Sequence, residues 1–125
     1  MENIKLKTAL VIDDEKIFQM VNSKLLKKIG YDNVQIACNG QEGLEAIKSN
    51  SFDIVLSDIE MPVMNGLECV SQLRKWEKET GGSRQKIFCI TGANIENEKI
   101  LETGMDGILK KPISKDSLTA LLNSK

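Results

Sequence analysis

At 125 residues the chain is long enough for one domain whose core needs no covalent staples. Its formal charge is −1, from 17 basic and 18 acidic residues spread along the sequence, so the dense basic patch that a nucleic-acid backbone requires is missing. No apolar run approaches the roughly 18 residues of a membrane span, and the start, MENIKLKTALVIDDE, lacks a signal-peptide pattern. The chain has no histidine. That absence removes a Ser/Cys-His triad, a histidine metal cage and a phosphohistidine carrier together. Cys38, Cys69 and Cys89 show no CxxC spacing and stand among apolar residues. They read as buried free thiols of a reducing, cytoplasmic compartment.

The hydrophobic period switches repeatedly between 2 and 3.6, which predicts alternating strands and helices. The first strand is Thr8-Ala9-Leu10-Val11-Ile12, stopped by Asp13-Asp14. Phe18, Val21, Leu25 and Ile29 then recur at helical spacing, and Gly30 is the expected C-terminal cap. Val34 to Cys38 is strand-like, and Asn39-Gly40 opens a short helix with Leu44 and Ile47 on one face. A third apolar run, from Phe52 through Leu56, ends at Asp58 and is followed by a helix carrying Leu67, Val70 and Leu73. Gly81-Gly82-Ser83 links to Ile87-Phe88-Cys89-Ile90, which stops at Thr91. A polar helix is expected from about Asn94 to Thr103, ending at Gly104. Ile108-Leu109 begins the last strand, Lys111-Pro112 breaks it, and Ser114 caps a final helix through Leu118, Leu121 and Leu122.

Five βα units with nearly continuous apolar strands argue for a parallel sheet covered on both faces. Right-handed crossovers make this a doubly wound α/β domain, with ligands expected at the carboxyl ends of the strands. Those ends carry Asp13-Asp14-Glu15, Asp58, Thr91 and Lys111, and they share one rim. Two carboxylates about 4 Å apart repel by roughly 4 kcal/mol at an effective dielectric near 20. Asp13, Asp14 and Asp58 beside one lysine therefore call for protonation or a cation. Oxygen ligands without sulfur or nitrogen suit a hard ion, Mg²⁺ (or Mn²⁺), rather than zinc. Such an ion could take phosphoryl oxygens, with Lys111 supplying charge and Thr91 a hydrogen bond.

Taken singly, each feature is ordinary. An aspartate pair after a strand is commonly a solvated helix start, a threonine at a strand end needs no explanation, and Met61 and Met64 read as packing residues. The ordered combination is specific. VIDDE at 11–15, DIEMPVMNG at 58–66, IT at 90–91 and GILKKP at 107–112 together resemble a response-regulator receiver domain, over essentially the whole chain.

That resemblance implies a flavodoxin-like (βα)5 fold with strand order 2-1-3-4-5, and a single receiver domain over 1–125 with no output domain. It implies that Asp58 accepts a phosphoryl group from a histidine kinase or a histidine phosphotransfer protein, in a two-component system or phosphorelay. Asp14 would ligate Mg²⁺ directly, Asp13 mostly through water, and Asp58 and the backbone carbonyl of Glu60 would complete the protein ligands. Lys111 would pair with the acceptor and then with the phosphoryl oxygens, which Thr91 would also hydrogen-bond. The Lys111–Pro112 bond would be cis. The family's switch couples the threonine to an aromatic three residues before the lysine; here that position is Ile108, so an aliphatic group would repack instead. The side chain of Glu60 either overhangs the site or is a solvated loop glutamate. GMDG at 104–107 and the Lys111-Pro112-Ile113 ending resemble receivers of hybrid kinases. Catalysis would be limited to the chain's own phosphorylation and slow dephosphorylation.

Two other classes compete. An aspartate-nucleophile phosphohydrolase of the haloacid-dehalogenase kind wants a second aspartate two residues after the first, where this chain has Glu60. A phosphate-independent interaction module with the receiver fold has no use for the intact set of Asp13, Asp14, Asp58, Thr91 and Lys111. Flavodoxin-type FMN binding lacks its phosphate loop after the first strand.

Overall fold

The structure is a computed structural model, and it describes residues 7–59, 64–92, 97–111 and 113–123. Strands β1 (Thr8–Ile12), β2 (Asn33–Ala37), β3 (Ile54–Asp58), β4 (Ile87–Thr91) and β5 (Gly107–Lys110) alternate with helices α1 (Lys16–Ile29), α2 (Gly40–Ser49), α3 (Gly66–Thr80), α4 (Asn97–Glu102) and α5 (Lys115–Asn123). All neighbouring strands are parallel, in the order β2-β1-β3-β4-β5. The expected doubly wound topology and strand order are both present. Among the described residues no helix is long and apolar enough to cross a membrane.

Side chains on successive strand residues point to opposite faces, so a continuous apolar run builds two cores at once. Along β1, Ala9 and Val11 join Leu26, Ile54, Leu56, Phe88, Ile90 and Leu118 under α1 and α5. Leu10 and Ile12 join Leu44, Ile47, Val55, Val70, Leu73, Cys89 and Ile100 on the side of α2, α3 and α4. Each such aliphatic side chain, fully withdrawn from water, contributes about 1.5–3 kcal/mol before the entropy of ordering is counted. The central strands β3 and β4 are buried throughout, whereas β2, at the sheet edge, buries only Ala37 fully.

Local chemistry sets the helix ends. The N–H of Gly30, at φ 124°, donates to the carbonyls of Leu26 and Lys27 and closes α1. Asn39 and Asn65 accept from the backbone N–H groups of Glu42 and Glu68, both at 2.9 Å, to start α2 and α3. Glu68 completes a capping box on Asn65. Ser114 Oγ accepts from Ser117 N at 3.0 Å, so the expected cap of α5 is present.

Two glycines bring helices close to the loop after β3. A Cβ on Gly66 would collide with the carbonyl oxygen of Asp58, and one on Gly40 with that of Met64. Close backbone approach is bought by the missing side chain. Gly66 N donates to Ile59 O at 2.9 Å, which ties the start of α3 to the end of β3, and Gly40 N donates to Met64 O at 2.9 Å, which ties the start of α2 to the residues that lead into α3.

Several expectations need correction. Val21 is not a core residue: it is 45% exposed, while Asn22 and Leu26 are the buried residues of α1. The helix is turned so that a polar residue, Asn22, occupies the centre of the buried face. Cys38 is exposed, because it falls one residue beyond β2 at the sheet edge; Cys69 and Cys89 are buried free thiols. The described part of α4 covers Asn97–Glu102, so the expected start at Asn94 lies outside the described residues. The same holds for Glu60, Met61 and Pro112, and with them the Glu60 carbonyl and the Lys111–Pro112 bond. Met64 is buried in the core, as its reading as a packing residue required.

Candidate functional site

The sheet's connections run in opposite directions from β1 and β3, and the carboxyl ends of these two central strands carry the acidic groups. Asp13 follows β1, and its N–H donates to Ala37 O at 3.0 Å, which holds the residue against the end of β2. Asp58 is the last residue of β3, paired in register with Ile90 of β4. Thr91 stands one residue further along β4, 1% exposed, and its carbonyl accepts from Lys111 N at 3.0 Å. That hydrogen bond fixes where the lysine leaves the backbone. Asp13, Asp14, Asp58, Thr91 and Lys111 thus lie along one edge of the sheet. Ile108, three residues before the lysine, pairs with Cys89 and is half-buried against the core on the α3 side.

One carboxylate oxygen from each of Asp13, Asp14 and Asp58 lies within 4.8 Å of the others. Asp13 and Asp58 are 1% and 4% exposed, whereas Asp14 faces solvent. Asp58 Oδ1 accepts from the N–H of Ile59 at 2.8 Å, and Oδ2 from Lys111 Nζ at 3.1 Å. Asp13 Oδ1 accepts from Glu15 N at 3.0 Å. Its Oδ2 is buried with no hydrogen bond among the described residues, 3.9 Å from Lys111 Nζ. Burial is the main reason the Asp13 carboxyl is pushed above the ordinary aspartate range; the Glu15 N–H opposes the shift, Asp58 and Asp14 add to it, and Lys111 subtracts.

An orphaned, buried carboxylate oxygen beside two further carboxylates is an electrostatic deficit that a hard divalent cation would satisfy. The donor set is all oxygen, with no imidazole or thiolate, and so it fits such an ion. Cys89 lies below the site, opposite Ser57, and its thiol is pushed up to about 12 by burial and then by the charge of Asp58. Cys69 is pushed up to about 11 by burial. Both thiols stay protonated at neutral pH, so neither is a metal ligand or nucleophile there.

Two residues at the rim were not picked out by sequence. Gln19 Nε2 donates to the carbonyl of Asp13 at 2.7 Å and approaches Cys38 Sγ at 3.8 Å, fastening α1 to the loops after β1 and β2. Its signal was slight: a polar residue six positions past Asp13. Phe18, read as a core residue, presents its ring to the Lys111 ammonium at 4.1 Å from the centroid. Nothing in periodicity brings those two residues together.

Comparison with known proteins agrees with this geometry. The family model for the response regulator receiver domain matches residues 9–123. The sensor histidine kinase GacS of Pseudomonas protegens is 35% identical over 115 residues, covering 90% of this chain but 12% of that protein. The chain therefore spans only about an eighth of that relative. Two-component response regulator 24 of Arabidopsis thaliana is 33% identical over 119 residues, 93% of this chain and 81% of the relative. Among solved structures, the receiver domain of the Arabidopsis thaliana histidine kinase CKI1, complexed with Mg²⁺, superposes with a TM-score of 0.84 at 29% identity, over 94% of this chain and 90% of that one. With a matching family model, a matching topology and the acidic rim at the ends of β1 and β3, the chain belongs to the response regulator receiver domain family of two-component signalling.

Proposed function

We propose that Asp58 is the phospho-acceptor of this receiver and that the carboxylates of Asp13, Asp14 and Asp58, with the backbone carbonyl of Glu60, hold Mg²⁺. The observation that carries the reading is the pairing of Asp58 Oδ2 with Lys111 Nζ at 3.1 Å, beside Asp13 Oδ2, which accepts no hydrogen bond from the described residues. When bound, Mg²⁺ supplies charge neutralisation and orientation for phosphoryl oxygens. The chain's own groups do the rest. The N–H of Ile59 fixes Asp58 Oδ1 and so orients the carboxylate. An oxygen of Asp58 attacks the phosphorus of a phosphohistidine on a histidine kinase or phosphotransfer protein. The O–P bond forms as the P–N bond breaks, and the imidazole nitrogen keeps the electron pair. Lys111 transfers its hydrogen bond from the carboxylate to a phosphoryl oxygen, and Thr91, at the adjacent strand end, donates another. Little covalent assistance is needed, because the P–N bond already leaves readily.

In this reading residues 1–125 form one receiver unit acting as a switch or relay in the cytoplasm, with Thr91 and Ile108 as its moving parts. The test is intact mass after incubation with acetyl phosphate and Mg²⁺. The parent should gain one phosphoryl group and Asp58→Asn none. A parent that gains nothing, even from a phosphohistidine donor, would make the chain a phosphate-independent interaction module.

A further inference from the structure

Lys111 is held from three sides, and only one of them is acidic in the usual way. Its Nζ is 3.1 Å from Asp58 Oδ2 and 3.9 Å from Asp13 Oδ2, and its side chain is 17% exposed. Its stem passes Gly92, where an added Cβ would sit 3.9 Å from both Cβ and Cδ of the lysine. On the remaining side lies the half-buried ring of Phe18, from the first turns of α1, with its centroid 4.1 Å from Nζ. That distance is well inside the ~6 Å reach of a cation–π contact.

Resting on the phospho-acceptor reading above, we propose that Phe18 is a positioning residue for phosphoryl transfer, using its ring face to hold the Lys111 ammonium over the acceptor. The choice of an aromatic ring has a physical consequence. A third carboxylate at this place would fix the lysine too, but as a competing ion pair that neutralises it. The negative face of a ring attracts the ammonium through its quadrupole and carries no net charge. The lysine is thereby restrained, while its full charge remains available to incoming phosphoryl oxygens. An unrestrained lysine has several rotatable bonds and two carboxylates to choose between, and ordering it during transfer opposes the reaction. Phe18 also comes from the helix that follows Asp13 and Asp14, so the acidic loop and the lysine are registered to one another through α1.

The test compares the parent with Phe18→Leu, which keeps apolar bulk without a ring, and Phe18→Tyr, which keeps the ring face. Phosphorylation of the full chain by acetyl phosphate is followed by intact mass at saturating Mg²⁺, beside thermal melts. Phe18→Leu should slow phosphorylation by about three- to tenfold, as the loss of one partly desolvated cation–π contact predicts. Phe18→Tyr should stay within about twofold of the parent, while Phe18→Met, which nearly matches the bulk of the ring without its π face, should be as slow as the leucine variant. If the leucine variant fails to fold, Phe18→Met takes its place. A leucine variant as fast as the parent, or a tyrosine variant as slow as the leucine one, overturns the role of Phe18 and leaves the acceptor reading standing. A parent that takes up no phosphoryl group overturns the acceptor reading first, and this inference with it.

Discussion

Asp13 and Asp58 are both buried and both acidic, yet they are satisfied differently. Each oxygen of Asp58 has a hydrogen-bond donor, whereas Asp13 Oδ2 has none among the described residues. Because the Asp13 carboxyl is raised, the fold favours its neutral form. Its contribution to stability is fully present below the unfolded value near 3.8 and is lost as pH rises through the raised folded value. Burial thus disfavours the charged carboxylate of Asp13, a penalty that a neutral group of the same shape would not carry. Asp13→Asn should raise the melting temperature at pH 7 in EDTA by about 4 °C, the shift that ~1 kcal/mol produces in a domain of this size. The rise that Mg²⁺ gives the parent should shrink in the variant. Melts in EDTA and in Mg²⁺ decide it, and a variant less stable than the parent in EDTA would contradict the account. The positions of Asp13, Asp14, Asp58, Thr91 and Lys111 were legible because each lies where a strand's apolar run stops. Phe18 was not, because its partner arrives from the other end of the chain and the contact depends on a side-chain path.

The described part of α4 sets one residue fully in the core. Of its described apolar residues Ile100 is fully buried and Leu101 is 46% exposed. The helix closes with Thr103 Oγ1 donating to Ile100 O at 2.6 Å and Gly104 N donating to Leu101 O at 3.0 Å. By contrast, α3 buries Cys69, Val70 and Leu73 completely. Local opening should follow this difference. If Thr91 shifts toward a phosphoryl group and Ile108 repacks behind it, amide exchange over 97–102 should change on acyl-phosphate treatment while that of α3 stays the same. Identical protection in α4 before and after treatment, with phosphorylation verified by mass, would rule out α4 as the moving element. Sequence located this helix by its sparse apolar residues. The rotation of α1 escaped it, because the centre of the buried face is Asn22, whose Nδ2 has no hydrogen bond among the described residues. A search for apolar period cannot place a polar residue there.

Across the whole molecule, the two edges of the sheet use the same residue types in opposite ways. At the amino ends of β4 and β5, every carboxylate oxygen in the cluster is matched. Arg74 donates to Gly104 O at 3.0 Å and, each at 2.9 Å, to Glu77 Oε1, Gln85 O and Asp106 Oδ2. Gln85 N donates to Glu77 Oε2 at 2.6 Å and Ile87 N to Asp106 Oδ2 at 2.9 Å, while Arg84 holds Asp106 Oδ1. This cluster clamps α3 to the segments that lead into β4 and β5. The opposite edge brings three carboxylates together, two of them beside one lysine, and leaves a buried oxygen without a hydrogen bond among the described residues, a crowding that suits a divalent cation rather than stability. Substitutions should separate along the same axis. Arg74→Met leaves Glu77 and Asp106 short of a buried cationic partner and should lower stability by about 3 kcal/mol. Its rate of phosphorylation by acetyl phosphate, measured where the variant is still folded, should match the parent's. Urea denaturation supplies the first number and a mass time course the second. A folded Arg74→Met chain that takes up phosphoryl groups slowly would show that the two edges are coupled through the sheet, and the division between a structural edge and a functional one would fail.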